Sequence, residues 1–222
     1  STYCSPTDMG VNMAGFGIVD DDACREAARQ EIIRRFYKTE CDYKTGNVSA
    51  DAVERIRLLM NENKIETSER SVVKPALEKA ESSCSAAVAV QLEDGRFVTG
   101  KSSKLMTACA GAVLNAVKAL SNIDDGMLLL APVVLAPIIR LKKEVLREDK
   151  VKLSLGDVLT ALSICAATNP IAEKAMDMLV RLRGCEAHAS CILPENDLAV
   201  MRKLGMNYTC EPEFGSKDLY GF

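Results

Sequence analysis

The hydrophobic pattern of the chain changes its period near residue 83, and this change restricts the folds that the chain can adopt. Residues 20–82 show the spacing of amphipathic helices. Beyond them, short runs of β-branched and small residues alternate with helical patterns, which is typical of layered α/β domains. We therefore predict a three-layer α/β domain, with a mixed sheet between helices, over 83–222, preceded by a small all-helical subdomain over 20–82. Residues 1–19 are rich in glycine and turn formers and are predicted to form a loop.

The most specific turn signal is Asp94-Gly95, which lies between two β-rich runs and predicts a hairpin. The same glycine begins the segment Gly95–Ser102, which fits the pattern G-x-x-x-x-G-K-[ST] of phosphate-binding loops in full. Such a loop curls directly from a strand into a helix, whereas residues 96–99 favour an extended strand that pairs back on its neighbour. We therefore favour the hairpin, and the phosphate-binding loop stays open as the alternative.

An anion-binding site is predicted immediately after the hairpin. The sequence places Lys101, Ser102 and Ser103 at the N-terminus of a helix over 103–121. The unpaired backbone N–H groups of a helix N-terminus favour a bound anion. These three residues are therefore candidate anion-binding residues under either interpretation of the hairpin segment.

A predicted strand over 185–191 has one small, apolar face and one polar face that presents Glu186, His188 and Ser190. Successive polar residues of this strand lie about 7 Å apart at Cα, which is too far for a hydrogen-bonded catalytic triad. Two interpretations stay open: a polar interface with the helical subdomain, or the lining of a ligand site. In the second, His188 transfers a proton and either Glu186 or Asp8 orients it.

A second polar segment lies in the N-terminal loop, at residues 5–12. Its hydroxyl, carboxylate and amide groups make Thr7, Asp8 and Asn12 candidate ligand-lining residues. The alternative is a linker in which such side chains make only local turn hydrogen bonds.

Composition disfavours several classes of partner. A net charge of -3 leaves no basic excess for nucleic acid. The uncharged apolar run over 127–139 is shorter than the about 20 residues that span a membrane, so we predict that it is buried and begins with a strand over 127–130. Nine widely spaced cysteines and a single histidine favour a reducing cytoplasm and argue against a zinc site.

Phrases along the whole chain resemble one bacterial family. They are SPTDMGVNMAG at 5–15, QEIIRR at 30–35, ALSICAATNP at 161–170, GCEAH at 184–188, KLGMN at 203–207 and CEP at 210–212. The family that they resemble, in this order, is domain of unknown function 1846. Its members are twice as long, so the resemblance implies that this chain is the C-terminal part. It also implies that the preceding part has its own segment similar to a phosphate loop. No catalytic residue is implied.

The C-terminal region of that family is similar in outline to cytidine-deaminase-like folds, an analogy of shape that does not imply function. The sequence lacks the His-x-Glu and Pro-Cys-x-x-Cys signature of zinc deaminases. Our hypothesis is that the chain is part of a cytoplasmic enzyme that acts on a small phosphorylated or nucleotide-linked substrate; we assign no cofactor. The N-terminal part of the same polypeptide would complete the site, and a homo-oligomer is expected. The alternative is a non-catalytic packing or oligomerisation module.

Overall fold

The computed structural model describes residues 20–149 and 151–215 of the 222-residue chain. The helices of this part are α1 (Asp21–Lys44), α2 (Ala50–Glu62), α3 (Val73–Ser83), α4 (Ala108–Ser121), α5 (Pro132–Arg140), α6 (Leu155–Ala166), α7 (Pro170–Asp177) and α8 (Glu195–Lys203). Its strands are β1 (Ala87–Gln91), β2 (Phe97–Lys101), β3 (Glu186–Ala189) and β4 (Asn207–Cys210). Short 3₁₀ segments cover Thr67–Glu69 and Met178–Leu182, and a π-helical turn, Leu141–Val145, continues α5.

The strands form one mixed sheet in the order β2-β1-β3-β4. Strand β1 is antiparallel to both of its neighbours, and β3 is parallel to β4. The predicted hairpin is present: Ala87 pairs with Lys101 at its open end, and Gly95 adopts a φ of 83° in the turn. Because residues 97–101 are extended and paired, the segment that fits the phosphate-loop pattern is a β-hairpin.

Helices cover both faces of the sheet. On one face α3 packs on β1 through Val72, Ala76 and Ala89, and α1 contacts β4. On the other face α4 lies across β1 and β2, with α6 and α7 packed behind it. The predicted α/β class, with a mixed sheet between helices and helices preceding it, is confirmed.

The close approach of α4 to β2 depends on Gly100. A Cβ atom at this position would lie 2.0 Å from the backbone nitrogen of Ala112. The glycine that fits the phosphate-loop pattern therefore serves helix–sheet packing.

Two sequence-predicted elements are wrong. Residues 127–130 form bends instead of a strand, because no strand of the described sheet pairs with them. The backbone N–H of Ala131, which follows them, donates to the Cys165 thiol. The helix expected from residue 103 begins at Ala108, because residues 105–107 hydrogen-bond to Leu153 before the Thr107 side chain caps the helix.

The apolar run over 127–139 is only partly buried, contrary to the sequence prediction. Leu129, Leu130 and Leu135 face the core, whereas Leu128 and Val133 are exposed. None of the helices within 20–149 and 151–215 is long and apolar enough to cross a membrane.

Candidate functional site

Arg70, between the first 3₁₀ turn and α3, is the most deeply buried charged side chain of the site, with 2% of its surface exposed. Its Nε donates to Thr209 Oγ1 at 2.9 Å and its Nη1 donates to Glu186 Oε2 at 2.5 Å. Its Nη2 donates to the backbone carbonyls of Ala187 at 3.0 Å and Asn207 at 2.9 Å. One guanidinium thus links the connection before α3 to both parallel strands.

Both carboxylate oxygens of Glu186 accept hydrogen bonds from the described part of the chain. Besides Arg70, it accepts hydrogen bonds from Arg34 Nη1 of α1 at 3.2 Å and from Asn207 Nδ2 at 3.0 Å. Within the described residues, no hydrogen bond joins Glu186 to His188. The structure therefore does not place Glu186 where it would orient that imidazole.

His188 is completely buried, and both of its ring nitrogens have partners. Nδ1 lies 2.8 Å from Thr209 Oγ1, and Nε2 lies 3.1 Å from Glu211 Oε1. Tyr37 of α1 donates its hydroxyl to the same carboxylate oxygen at 3.2 Å and packs edge-on against the imidazole at 4.9 Å between ring centroids.

The Glu211 carboxylate sets the direction of these hydrogen bonds. Arg70 donates to the Thr209 oxygen, and the Thr209 hydroxyl proton has two acceptors in reach, the Ala187 carbonyl at 3.4 Å and His188 Nδ1 at 2.8 Å. The shorter contact assigns this proton to His188 Nδ1. The imidazole then carries its proton on Nε2 and donates it to Glu211, because a carboxylate can only accept. We call this ordered chain the buried relay; it runs from Arg70 through Thr209 and His188 to Glu211.

Burial lowers the pKa of His188 below 6.5, and the carboxylate of Glu211 opposes this shift. Burial also raises the pKa of Tyr37, with the Glu211 charge acting in the same direction. At neutral pH the imidazole of the relay and the phenol of Tyr37 beside it are therefore both neutral, and both contact the Glu211 carboxylate.

A cleft of about 380 Å³ lies beside the buried relay, between the second half of α1 and the edge formed by β4 and α8. Tyr37 and Thr209, which belong to the network around the relay, also line this cleft. We call it the α1 cleft. It adjoins the carboxyl end of β4, and the carboxyl ends of parallel strands are the usual position of ligands in α/β sheets.

Basic side chains surround the α1 cleft. The cleft-lining cations are Arg34, Arg35, Lys38 and Arg202. Arg34 and Arg35 both pair with the carboxylate of Glu31. Arg202 pairs with Glu195 and donates a hydrogen bond to the Tyr208 hydroxyl. Lys38 makes no ion pair with any residue that the structure describes. Asp42, one helical turn further along α1, is a cleft-lining carboxylate that likewise has no such pair.

Cysteine thiols also contact the cleft, and they are not activated. Burial raises the pKa of Cys41 and that of Cys210 to about 12. Nucleophilic chemistry needs the thiolate, so these side chains act as apolar lining. Among residues 20–149 and 151–215, no group of three potential ligand side chains lies close enough to hold a metal ion.

The remaining predicted residues lie elsewhere. Ser190 directly follows the last residue of β3, and its Oγ accepts the backbone N–H of Ala87 at the open end of the hairpin. Lys101 ends β2, and Ser102 accepts a hydrogen bond from Lys152 Nζ at 2.8 Å. The Ser103 hydroxyl oxygen accepts the backbone N–H groups of Leu105 and Met106 in a turn. The prediction that a helix begins at Ser103 is therefore wrong. Thr7, Asp8 and Asn12 lie outside the described residues.

The sequence analysis missed four members of this network. Arg70, Tyr37, Thr209 and Glu211 join it from separate parts of the chain. Only Glu211 had a sequence signal, since it belongs to the phrase CEP that the family resemblance used.

Comparison with known protein families divides the chain into two segments, and the buried network contains residues from both. Residues 68–220 match the family described as "Domain of unknown function DUF1846, C-terminal". Residues 1–64 match "Domain of unknown function DUF1846, N-terminal". The chain belongs to the DUF1846 family. The chain therefore matches both the N-terminal and the C-terminal domain of this family, whereas the sequence predicted only the C-terminal part.

Curated relatives of this DUF1846 chain are bacterial proteins named UPF0371. The UPF0371 protein of Clostridium botulinum strain Eklund 17B is 49% identical over 228 aligned positions, covering 99% of this chain and 45% of the relative. That of Clostridioides difficile strain 630 is 48% identical, with 99% and 46% covered. The chain thus spans about half the length of the curated relatives it matches.

The boundary between the two DUF1846 segments lies at 65–67. It falls just before Arg70. Arg34 and Tyr37 belong to the first segment, whereas Glu186 and His188 belong to the second. The buried network and the α1 cleft therefore lie where the two family segments meet.

Proposed function

We propose that the chain forms part of a cytoplasmic enzyme that acts on a small phosphorylated or nucleotide-linked substrate, and that the α1 cleft receives the phosphate. The observation that supports this most directly is Lys38, a cation without an ion pair among the described residues, in a cleft that three arginines also line. Charge-assisted hydrogen bonds from lysine and arginine are the usual means of holding phosphate.

In this proposal His188 is a positioning residue. It has no exposed surface and both of its nitrogens are engaged, so it acts through Glu211. Glu211 is half-buried and directly follows Cys210, which lines the cleft. Glu211 would exchange the proton, and neutral His188 and Tyr37 would hold its carboxylate in place.

The rest of the longer relatives supplies the remaining part of this site in our proposal. The cleft lies at the junction of the two family segments, and the relatives contain about as much sequence again beyond the part matched here. The N-terminal part of the same polypeptide is thus the proposed partner. In the sequence-based hypothesis, Thr7, Asp8 and Asn12 line the site together with that part. The anion site at Lys101, Ser102 and Ser103 stays a separate prediction.

Calorimetric titration with ADP, pyrophosphate and adenosine tests this proposal. We expect ADP and pyrophosphate to bind and adenosine, which lacks phosphate, to bind at least about tenfold more weakly. Lys38→Met should weaken ADP binding about tenfold because it removes one charge-assisted contact. Asp42→Asn should strengthen binding, because it removes a carboxylate that repels phosphate.

The matched control is Lys203→Met on α8, an exposed lysine that does not line the cleft. It should leave the affinity unchanged. Equal affinity for ADP in the Lys38→Met and Lys203→Met proteins would refute the proposal, as would binding of adenosine as tight as that of ADP.

A second candidate function is a non-catalytic packing or oligomerisation module. The exposed apolar surface of α5, where Val133 is 78% exposed, favours it. Absence of binding by every phosphate compound, together with stable self-association in light scattering, would support this function over the enzymatic one.

A further inference from the structure

A second cavity, of about 500 Å³, lies between α1 and α2, and we call it the α1–α2 groove. Its apolar lining residues are Val48, Ala52, Ile56 and Leu59. The last three follow one another by four and three positions, which places them on one face of α2. The buried residues of α2, Val53 and Met60, lie on the neighbouring face, and Leu59 keeps 38% of its surface exposed. Packing against α1 therefore leaves a second apolar face of α2 partly open.

The α1–α2 groove and the α1 cleft meet along one ridge of α1. Arg35, Lys38 and Asp42 line both cavities. These residues follow one another by three and four positions, so they form one stripe along the helix surface. A ligand whose phosphate lies beside Lys38 in the α1 cleft can therefore extend across this ridge into the groove.

The charges around the groove favour a ligand with an anionic head group. Arg35, Lys38 and Arg55 are cations, and Asp42 is the one carboxylate among the described residues that line the groove. Glu31 pairs with Arg35, whereas Lys38 and Arg55 make no ion pair with any residue that the structure describes. The described lining thus carries an excess of positive charge beside its apolar face.

The chemistry of the groove favours an aliphatic chain over a nucleobase. None of the described residues that line it is aromatic, so no ring offers a face on which a base can stack. Thr39 is the one uncharged polar side chain among them, which leaves few partners for the edge of a base. An aliphatic chain needs no polar partner, and its contact with Ile56 and Leu59 removes apolar surface of both molecules from water.

We propose that the substrate of the α1 cleft is a phosphate ester of an aliphatic chain, with its phosphate beside Lys38 and its chain in the α1–α2 groove. This inference rests on the proposed function, because it assigns the chemical group that is attached to the phosphate in the α1 cleft. One molecule occupies both cavities, since the same stripe of α1 borders each of them.

NMR titration of the protein with methyl phosphate, hexyl phosphate and hexanol tests this inference. A methylene group that leaves water completely strengthens binding by about fourfold, so five of them in a partly open groove should strengthen it by at least about tenfold. Hexyl phosphate should therefore bind more tightly than methyl phosphate by that factor, and its shift changes should extend from residues 38–42 to residues 52–59. Hexanol lacks the anionic head group and should bind at least about tenfold more weakly than hexyl phosphate.

Leu59→Gln removes apolar surface from the groove. Its matched control is Leu58→Gln, which changes the neighbouring exposed leucine outside the groove. We expect Leu59→Gln to weaken the binding of hexyl phosphate about threefold and to leave that of methyl phosphate unchanged, whereas Leu58→Gln should alter neither.

Three results would overturn this inference and leave the phosphate site in place. They are equal affinities for methyl and hexyl phosphate, equal effects of the two leucine substitutions, and binding of hexanol as tight as that of hexyl phosphate. Absence of binding by both phosphate esters, ADP and pyrophosphate would overturn the proposed function as well.

Discussion

Arg70 determines how firmly the helical segment holds the two parallel strands. Its replacement by methionine would leave Glu186 with only Arg34 and Asn207 as donors, and would remove a donor from the backbone carbonyls of Ala187 and Asn207. We expect Arg70→Met to lower the free energy of unfolding by about 1–3 kcal/mol, because a buried acceptor then loses its hydrogen bond. Urea denaturation measures this loss.

The matched control is Arg25→Met, which removes an arginine paired with Asp22 at the exposed surface. Exposed pairs contribute little to stability, so no measurable change is expected. An Arg70→Met protein as stable as the control would show that the buried contacts of Arg70 do not hold the strands.

His188 should make stability depend on pH in a defined window. Its pKa is lower in the folded protein than the ordinary value of 6.5, so the unfolded chain binds a proton first as the pH falls. The free energy of unfolding should therefore decrease as the pH falls below 6.5. Arg70, Thr209, Tyr37 and Glu211 are the polar groups that face the ring.

Because this is the only histidine in the chain, its proton NMR signal reports the titration without overlap. We expect that signal to titrate below pH 6.5, and we expect His188→Gln to have a flatter pH dependence of stability below pH 6.5. A signal that titrates above 6.5 would mean that the Glu211 carboxylate outweighs burial.

At the scale of elements, the contact between α4 and β2 depends on the absence of a side chain at Gly100. A Cβ there meets the Ala112 backbone, whereas a Cβ at Gly111 would have its nearest contact at 3.4 Å, from the Lys101 carbonyl. Gly100→Ala should lower the free energy of unfolding by about 1–3 kcal/mol through overpacking, and Gly111→Ala should cause no loss. Thermal denaturation of the two variants tests this; equal melting temperatures would contradict the packing.

Asp197 connects the beginnings of two helices. It lies in the first turn of α8, fully buried, and its Oδ1 accepts the backbone N–H of Leu155 at the start of α6 at 2.7 Å. Asp197→Ala should cost about 1–3 kcal/mol of unfolding free energy, because it leaves a buried donor unpaired. Asp197→Asn keeps an acceptor and should cost less in the same urea experiment; the reverse order would contradict the capping role.

Elements defined by a few neighbouring residues could be predicted from the sequence. The Asp94-Gly95 turn, the capping box of Ser154 with Asp157, and Asn169 before Pro170 all specify local geometry, and the structure contains each of them. Residues 127–130 could not be predicted correctly, because an apolar run of four residues fits a strand and an irregular, partly buried segment equally well.

At the scale of the whole molecule, the polar face of β3 was predictable and its partners were not. The two-residue period of a strand places Glu186 and His188 on one face whatever surrounds them. The arginine that reaches Glu186 from α1 is 152 positions away in sequence, and no local pattern encodes such a pairing. The buried relay and the α1 cleft therefore emerge only when the two family segments pack together.

The central claim is that the α1 cleft binds phosphate, and backbone ¹H–¹⁵N NMR spectra of the protein with and without ADP test it most directly. Our account predicts that chemical-shift changes concentrate on residues 38–42 of α1 and residues 208–210 of β4, which face each other across the cleft. Shift changes confined to residues 101–103 at the end of β2, with none at the cleft, would contradict it.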